Sequence, residues 1–145
     1  MISSTVLIAP EPFNDRLDSR RVAAAVARGL RARKAALETD LCPLDELRDP
    51  SAVRDALAAL DFDRRMRAAR AVVVGAGRLD EETLLGSVTF EIATRARQAG
   101  VPAYAVAGAN ALELFDARIL DLQVVLQARD TRALRRAGER LAELV

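Results

Sequence analysis

Histidine and tryptophan are absent from the 145 residues, and Cys42 is the only cysteine. These absences exclude an internal disulfide, histidine-containing metal sites, and Ser-His or Cys-His nucleophilic couples. With no histidine to activate it, Cys42 is expected to be a small buried hydrophobe at a strand end. Lysine is reduced to Lys34, so Schiff-base chemistry has one candidate, and every other basic residue is arginine. Lys34 ends the basic tail Arg31 to Lys34 of a predicted helix, where cations favour the dipole, which is a structural position. No apolar run approaches the roughly 18 residues of a membrane span. No basic region precedes Val6, Leu7 and Ile8, so the start does not resemble a signal peptide. A cytoplasmic, reducing setting without membrane contact is expected. The net charge is +1 and aromatic residues make up 3%. With the arginines interleaved with acids, nucleic-acid binding is not expected.

What the chain does have is apolar residues, 51% of the total, enough for one core, and residues 1–145 read as a single domain. Thr5 to Ala9 is a short apolar run ending at Pro10, the pattern of a strand buried on both faces. Asp18 or Ser19 then caps a helix whose Val22, Val26, Gly29 and Leu30 recur on one side. Thr39 to Cys42 reads as a second strand stopped by Pro43. Asp49-Pro50 supplies a cap and a proline at the first helical position, leading a helix with Val53, Ala56, Leu57 and Leu60. A polar break at Asp61 to Asp63 precedes a basic stretch, Arg64 to Arg70, that includes Met66. Ala71 to Val74 is the clearest buried strand. After Gly86-Ser87 a helix presents Val88, Ile92, Ala96 and Ala99 and ends at Gly100. Val101 to Ala107 reads as a strand, Gly108 to Asp116 as a turn with a short helical segment, and Ile119 to Leu126 as a fifth strand. Asp130 caps a last helix carrying Leu134, Ala137, Leu141 and Leu144. This alternation predicts a Rossmann-like, three-layer α/β/α sandwich of about five mainly parallel strands.

In an open parallel sheet, ligands bind at the carboxyl ends of the strands. Four connections gather there: Pro10 to Asp18, the region after Cys42, Gly75 to Ser87, and Gly108 to Asn110. The third is the richest. Gly75 and Gly77 permit close backbone approach or positive φ, and the helix start at Gly86-Ser87 can offer free N–H groups to an anion. Arg78 is then a fork for phosphate or carboxylate, and Asp80 a metal or hydroxyl contact, although the pair could equally form a salt bridge that shapes the loop. Glu11 and Asp15 are a possible acid and base. The group Arg132, Arg135, Arg136 and Arg140, beside Glu139 and Glu143, reads as a solvated, ion-paired face. Gly75-Ala76-Gly77 lacks the third glycine of a dinucleotide loop, and no GxxxxGK[ST] occurs, so a standard P-loop is excluded. No dedicated metal site is read from the sequence.

Two segments together resemble the bacterial two-domain glycerate kinases. Where that family has APDSFKGSLSA after its first strand, this chain has Ala9-Pro10-Glu11-Pro12-Phe13-Asn14-Asp15-Arg16-Leu17-Asp18-Ser19. Where the family has GEGRLDxQ(S/T)LxGK, this chain runs from Gly75 through Gly77, Arg78, Leu79, Asp80, Thr83 and Leu84 to Gly86 and Ser87. Val101-Pro102 and Ala107-Gly108 follow in register. The departures fall on charged positions: Asn14 and Ser87 stand where the family has lysine, and Ala76 where it has glutamate. The family's large second domain has no room between Leu44 and Leu60. The resemblance implies a reduced, degenerate kinase-like domain that binds a small anion, a phosphate or hydroxy acid. Arg78 and Asp80 would be essential to any surviving catalysis, and Glu11, Asn14, Arg16, Gly75, Gly77, Thr83, Gly86 and Ser87 would surround the ligand, Arg16 supplying a positive charge near Asn14. If the chain acts as a minimal kinase, Mg-ATP is the implied cofactor. A non-catalytic, homo-oligomeric interaction module is the alternative of a different class.

Overall fold

The structure, a computed structural model, describes residues 3–145. Five strands, β1 (Thr5–Pro10), β2 (Glu38–Leu41), β3 (Ala71–Leu79), β4 (Ala103–Asn110) and β5 (Val125–Gln127), form one sheet in the order β2-β1-β3-β4-β5. Every neighbouring pair is parallel. Six α-helices cover the two faces: α1 (Ser19–Arg33), α2 (Pro50–Ala59), α3 (Phe62–Arg67), α4 (Val88–Ala99), α5 (Leu114–Leu120) and α6 (Thr131–Leu144). The expected three-layer arrangement is what the chain adopts. Among the described residues no helix is long and apolar enough to cross a membrane.

The alternation of side chains along each strand divides the core. Val6, Ile8, Val73, Tyr104 and Val106 point to one face and pack with Val22, Val26 and Leu30 of α1 and Leu134 and Leu141 of α6. Leu7, Ala9, Val72, Val74 and Ala105 point to the other, against Val53 and Leu57 of α2, Phe62 and Met66 of α3, and Ile92 and Ala96 of α4. Cys42 is buried in this second layer, as an apolar strand-end residue should be. The helix starts follow the capping chemistry. Asp18, Asp49, Ser87 and Asp130 each accept a hydrogen bond from a backbone N–H in the first turn of α1, α2, α4 and α6. Gly100 closes α4 with φ 71°, a left-handed position that favours glycine. The β2 edge is tied down by Arg65, whose guanidinium grips both carboxylate oxygens of Asp40 and donates to the carbonyls of Leu60 and Leu41.

Three boundaries differ from the sequence expectation. Strand β3 does not stop at Val74. It continues through Gly75, Ala76 and Gly77 to Leu79, because β4 is long enough to pair with it as far as Leu79 opposite Asn110. Neither Gly75 nor Gly77 has positive φ, so what they provide is close approach. Correspondingly, β4 runs on to Asn110 where a turn was expected from Gly108. The run Ile119 to Leu126 is not one strand. Its start is the end of α5, Asp121 at φ 52° breaks the chain direction, and only Val125–Gln127 pairs with β4.

Candidate functional site

The sheet order places β1 beside β3, and their following connections diverge. The chain after β1 enters α1 on one face, and the chain after β3 enters α4 on the other. A crevice opens at such a switch point beyond the carboxyl ends of the two strands. Here it is a cleft of about 350 Å³, with Glu11, Phe13, Ala76, Gly77, Arg78, Asp80 and Glu82 on its walls. Glu46 and Arg48, from the connection after β2, complete it.

Its floor depends on main-chain contact that only glycine allows. A Cβ on Gly77 would stand 2.4 Å from the Phe13 carbonyl oxygen, and one on Gly108 would stand 2.6 Å from the Gly77 carbonyl oxygen. The segment after β1, strand β3 and strand β4 are thus stacked backbone on backbone. One step deeper, Gly75 leaves room for side chains instead, since a Cβ there would meet the Pro10 Cβ at 2.9 Å.

Glu11 is the buried acid of the cleft, at 3% exposure. Its N–H donates to the Gly75 carbonyl, and its Oε2 accepts a hydrogen bond from the Thr89 hydroxyl in the first turn of α4. Burial pushes its carboxyl above the ordinary value of 4.5, with Glu46 adding to the rise, while the Thr89 hydroxyl and the Arg48 charge pull against it. Part of the helix start expected to face an external anion is already engaged within the protein. The Thr89 hydroxyl serves Glu11, Val88 N–H donates to the Leu47 carbonyl, and Phe90 N–H donates to the Ser87 Oγ.

The raised Glu11 value sets a sign for pH dependence. An acid with a higher affinity for its proton when folded contributes stability that is complete below 4.5 and is lost as pH rises through the folded value. Glu11→Gln keeps the neutral form at every pH. In urea melts its stability relative to wild type should climb as pH is raised from below 4.5, then level off. A difference that stays flat, or falls, would show that Glu11 is not held against ionisation.

At the rim, Arg78 uses Nε to reach Asp80 Oδ2 at 3.0 Å, and its side chain is well exposed. Arg48 donates Nη2 to Glu46 at 2.9 Å. Asp80 also caps the 3₁₀ turn Glu81–Leu84, accepting from Glu82 N–H, while its own N–H donates to the Thr83 hydroxyl. Of the residues expected to surround a ligand, Glu11, Gly77, Arg78 and Asp80 line this cleft. Asn14 borders an adjoining recess with Gly77, Gly108 and Arg129. Arg16 is exposed and outside the cleft, where its N–H closes a turn onto Asn14 Oδ1. Asp15 is likewise exposed and outside it. Thr83 and Ser87 are buried beneath the loop, the Ser87 hydroxyl donating to the Thr83 carbonyl. Gly86, at φ 96°, lets that loop pass over the Arg48 carbonyl. Glu46 and Arg48 were missed by motif reading, although they sit in one of the four connections that the fold class brings to this edge. Among the described residues no group of three or more acidic or cysteine side chains is gathered as a metal-ligand set.

Fold and cleft together define a doubly wound parallel α/β domain with a mixed carboxylate and guanidinium crevice at its switch point. Residues 51–144 match the model of the glycerate kinase family, and the chain belongs to that family. Arg78, Asp80, Thr83 and Gly86 fall inside the match, and Glu11 and Asn14 precede it. Among solved structures the chain is similar to an oxidoreductase from Corynebacterium diphtheriae, at 12% identity and a TM-score of 0.56, with 100% of this chain and 98% of that one covered. At that identity the likeness shows the fold alone. A search of curated proteins found no match.

Proposed function

We propose that this chain is a reduced glycerate-kinase domain that holds a small hydroxy acid in the β1/β3 cleft and does not by itself transfer a phosphoryl group. The observation that carries this is the pairing of a buried acid, Glu11, with two rim arginines, Arg48 and Arg78, in one cleft. Carboxylates accept hydrogen bonds from hydroxyls, and guanidinium forks take a carboxylate, so a hydroxy acid satisfies both kinds of wall. Arg78 commits only its Nε to Asp80, which leaves its terminal nitrogens for a ligand.

The family activity would bring a magnesium-bound nucleoside triphosphate to this edge, and the residues present do not fit one. Even with the buried Glu11 set aside, Glu46, Asp80 and Glu82 outnumber Arg48 and Arg78, so a polyphosphate with several negative charges is repelled more than a hydroxy acid with one. The start of α4, which could cradle a phosphate, is partly taken by Glu11 and Ser87. Phosphoryl transfer relies on positive groups placed around the transferred oxygens, and each one lost commonly costs on the order of 10² to 10³ in rate.

The test is calorimetric titration with D-glycerate, together with ADP release from Mg-ATP in its presence. Saturable glycerate binding, weakened about tenfold or more in Arg78→Ala, with no glycerate-dependent ADP release, is the expected outcome. Equal binding by wild type and Arg78→Ala would remove the site, and turnover abolished by Asp80→Ala would establish a minimal kinase instead.

A second reading, a homo-oligomeric interaction module, is favoured by a separate observation. Leu85, Leu114 and Phe115 are large apolar side chains left more than two-thirds exposed.

A further inference from the structure

The net charge of +1 conceals a strong separation. Helices α1 and α6 carry nine arginines against two glutamates, a net +7, so the remainder of the chain carries −6. The two helices share one face of the sheet and pack so closely that Gly29 and Gly138 meet main chain. Beside that crossing lies a groove of about 330 Å³, floored by Ala24 and Ala25 and rimmed by Arg21, Arg28, Arg132 and Arg135. Little of this charge is neutralised internally. Among the described residues Arg21, Arg28 and Arg132 form no salt bridge, and Arg135 reaches Glu139 only at 4.0 Å.

The complementary surface is on the opposite layer. Helix α5 projects Leu114 and Phe115, each 72% exposed, and Glu113 and Asp116 flank them. Glu81 and Glu82 of the neighbouring 3₁₀ turn extend the predominantly acidic border, which Arg78 and its partner Asp80 also line, and Leu85 adds to the exposed apolar surface. An apolar knob with an acidic collar therefore faces one way, and an apolar-floored groove with a guanidinium collar faces the other.

We propose that the α5 knob of one copy docks into the α1/α6 groove of a second copy, giving a head-to-tail assembly. This specifies the oligomer of the interaction-module reading and rests on it. One molecule cannot satisfy both surfaces itself, because they lie on opposite sides of the sheet. Such a contact uses two different patches, so it propagates into a chain or closes into a ring rather than forming a two-fold dimer. Leucine and phenylalanine side chains fit the groove volume, and the arginine collar meets carboxylates instead of water. Salt should weaken the contact, since the paired charges remain near the surface.

Sedimentation velocity over a range of concentration tests this with three proteins. Wild type should gain mass with concentration at low ionic strength and lose it at high. Arg28→Glu with Arg135→Glu removes the groove, and Glu113→Arg with Asp116→Arg removes the knob, each weakening association at least about tenfold. None of these four residues lines the cleft, and matching thermal melts establish that the variants fold. Mixed in equal amounts, the two variants should form a dimer that grows no further, because one intact groove meets one intact knob. A wild type that stays monomeric at every concentration overturns both this interface and the module reading. Association that survives either double reversal, or a mixture that remains monomeric, overturns the interface while leaving an oligomer.

Discussion

Gly29→Ala is expected to lower stability by about 3 kcal/mol and the thermal midpoint by about 10 °C. On an isolated helix the same change would help, since alanine is favoured over glycine by about 1 kcal/mol in a helix interior. Here packing decides the sign. The new Cβ would lie 1.9 Å from the Arg135 carbonyl oxygen and 2.8 Å from the Glu139 nitrogen, both main-chain atoms of α6. Neither can rotate aside as a side chain would. Helix α6 must shift as a body, and its Leu134 and Leu141 then lose their fit against Val22, Val26 and Leu30. Thermal denaturation followed by circular dichroism measures the outcome. A midpoint raised by the substitution would mean that α1 and α6 are not in main-chain contact.

The second large effect falls on the cleft. Gly77→Ala places a Cβ 2.4 Å from the Phe13 carbonyl oxygen and 3.1 Å from its carbon, so the segment after β1 must lift away from β3. That segment carries Phe13 on the cleft wall and begins at Glu11, whose position is fixed by its N–H to the Gly75 carbonyl and by Thr89. The cost is about 2 kcal/mol in stability, the scale of an overpacked site. Glycerate binding should weaken at least about tenfold, about 1.4 kcal/mol. The contrast with Gly29→Ala is informative, because that change strains the far layer and should leave the affinity of the folded protein unchanged. Calorimetry at a temperature where both variants are folded separates the two. Equal glycerate affinity in wild type and Gly77→Ala would show that the contact does not shape the site.

Much of the fold is readable from local chemistry because four of the six α-helices announce their own starts. Asp18, Asp49, Ser87 and Asp130 are caps whose partners lie three residues away. Gly100 is a left-handed closure for the same local reason. The buried strands are legible because parallel strands covered on both faces need continuous apolar runs. What eluded the sequence depends on distant partners. Gly75 and Gly77 look like punctuation, yet they continue a strand because β4 runs far enough to pair with it up to Leu79 opposite Asn110. Ile119 to Leu126 has the composition of a strand, but Asp121 turns the chain within it. Glu11 was a candidate, while its partner Thr89, 78 residues away, carried no motif to mark it. Arg48 and Glu46 reach the cleft only because β2 lies beside β1. The charge separation was hidden in a total of +1, since it depends on α1 and α6 sharing a face.

On the function proposed above, the switch-point cleft of this family member is a hydroxy-acid site and not a nucleotide site. Amide chemical-shift mapping by two-dimensional NMR tests it in one protein, with D-glycerate and Mg-ATP titrated separately. Saturating shifts from glycerate at Phe13, Gly77, Arg78 and Asp80, with no comparable saturation there from Mg-ATP, are the predicted result. Glycerate that leaves those amides unmoved, or Mg-ATP that saturates them, would contradict it.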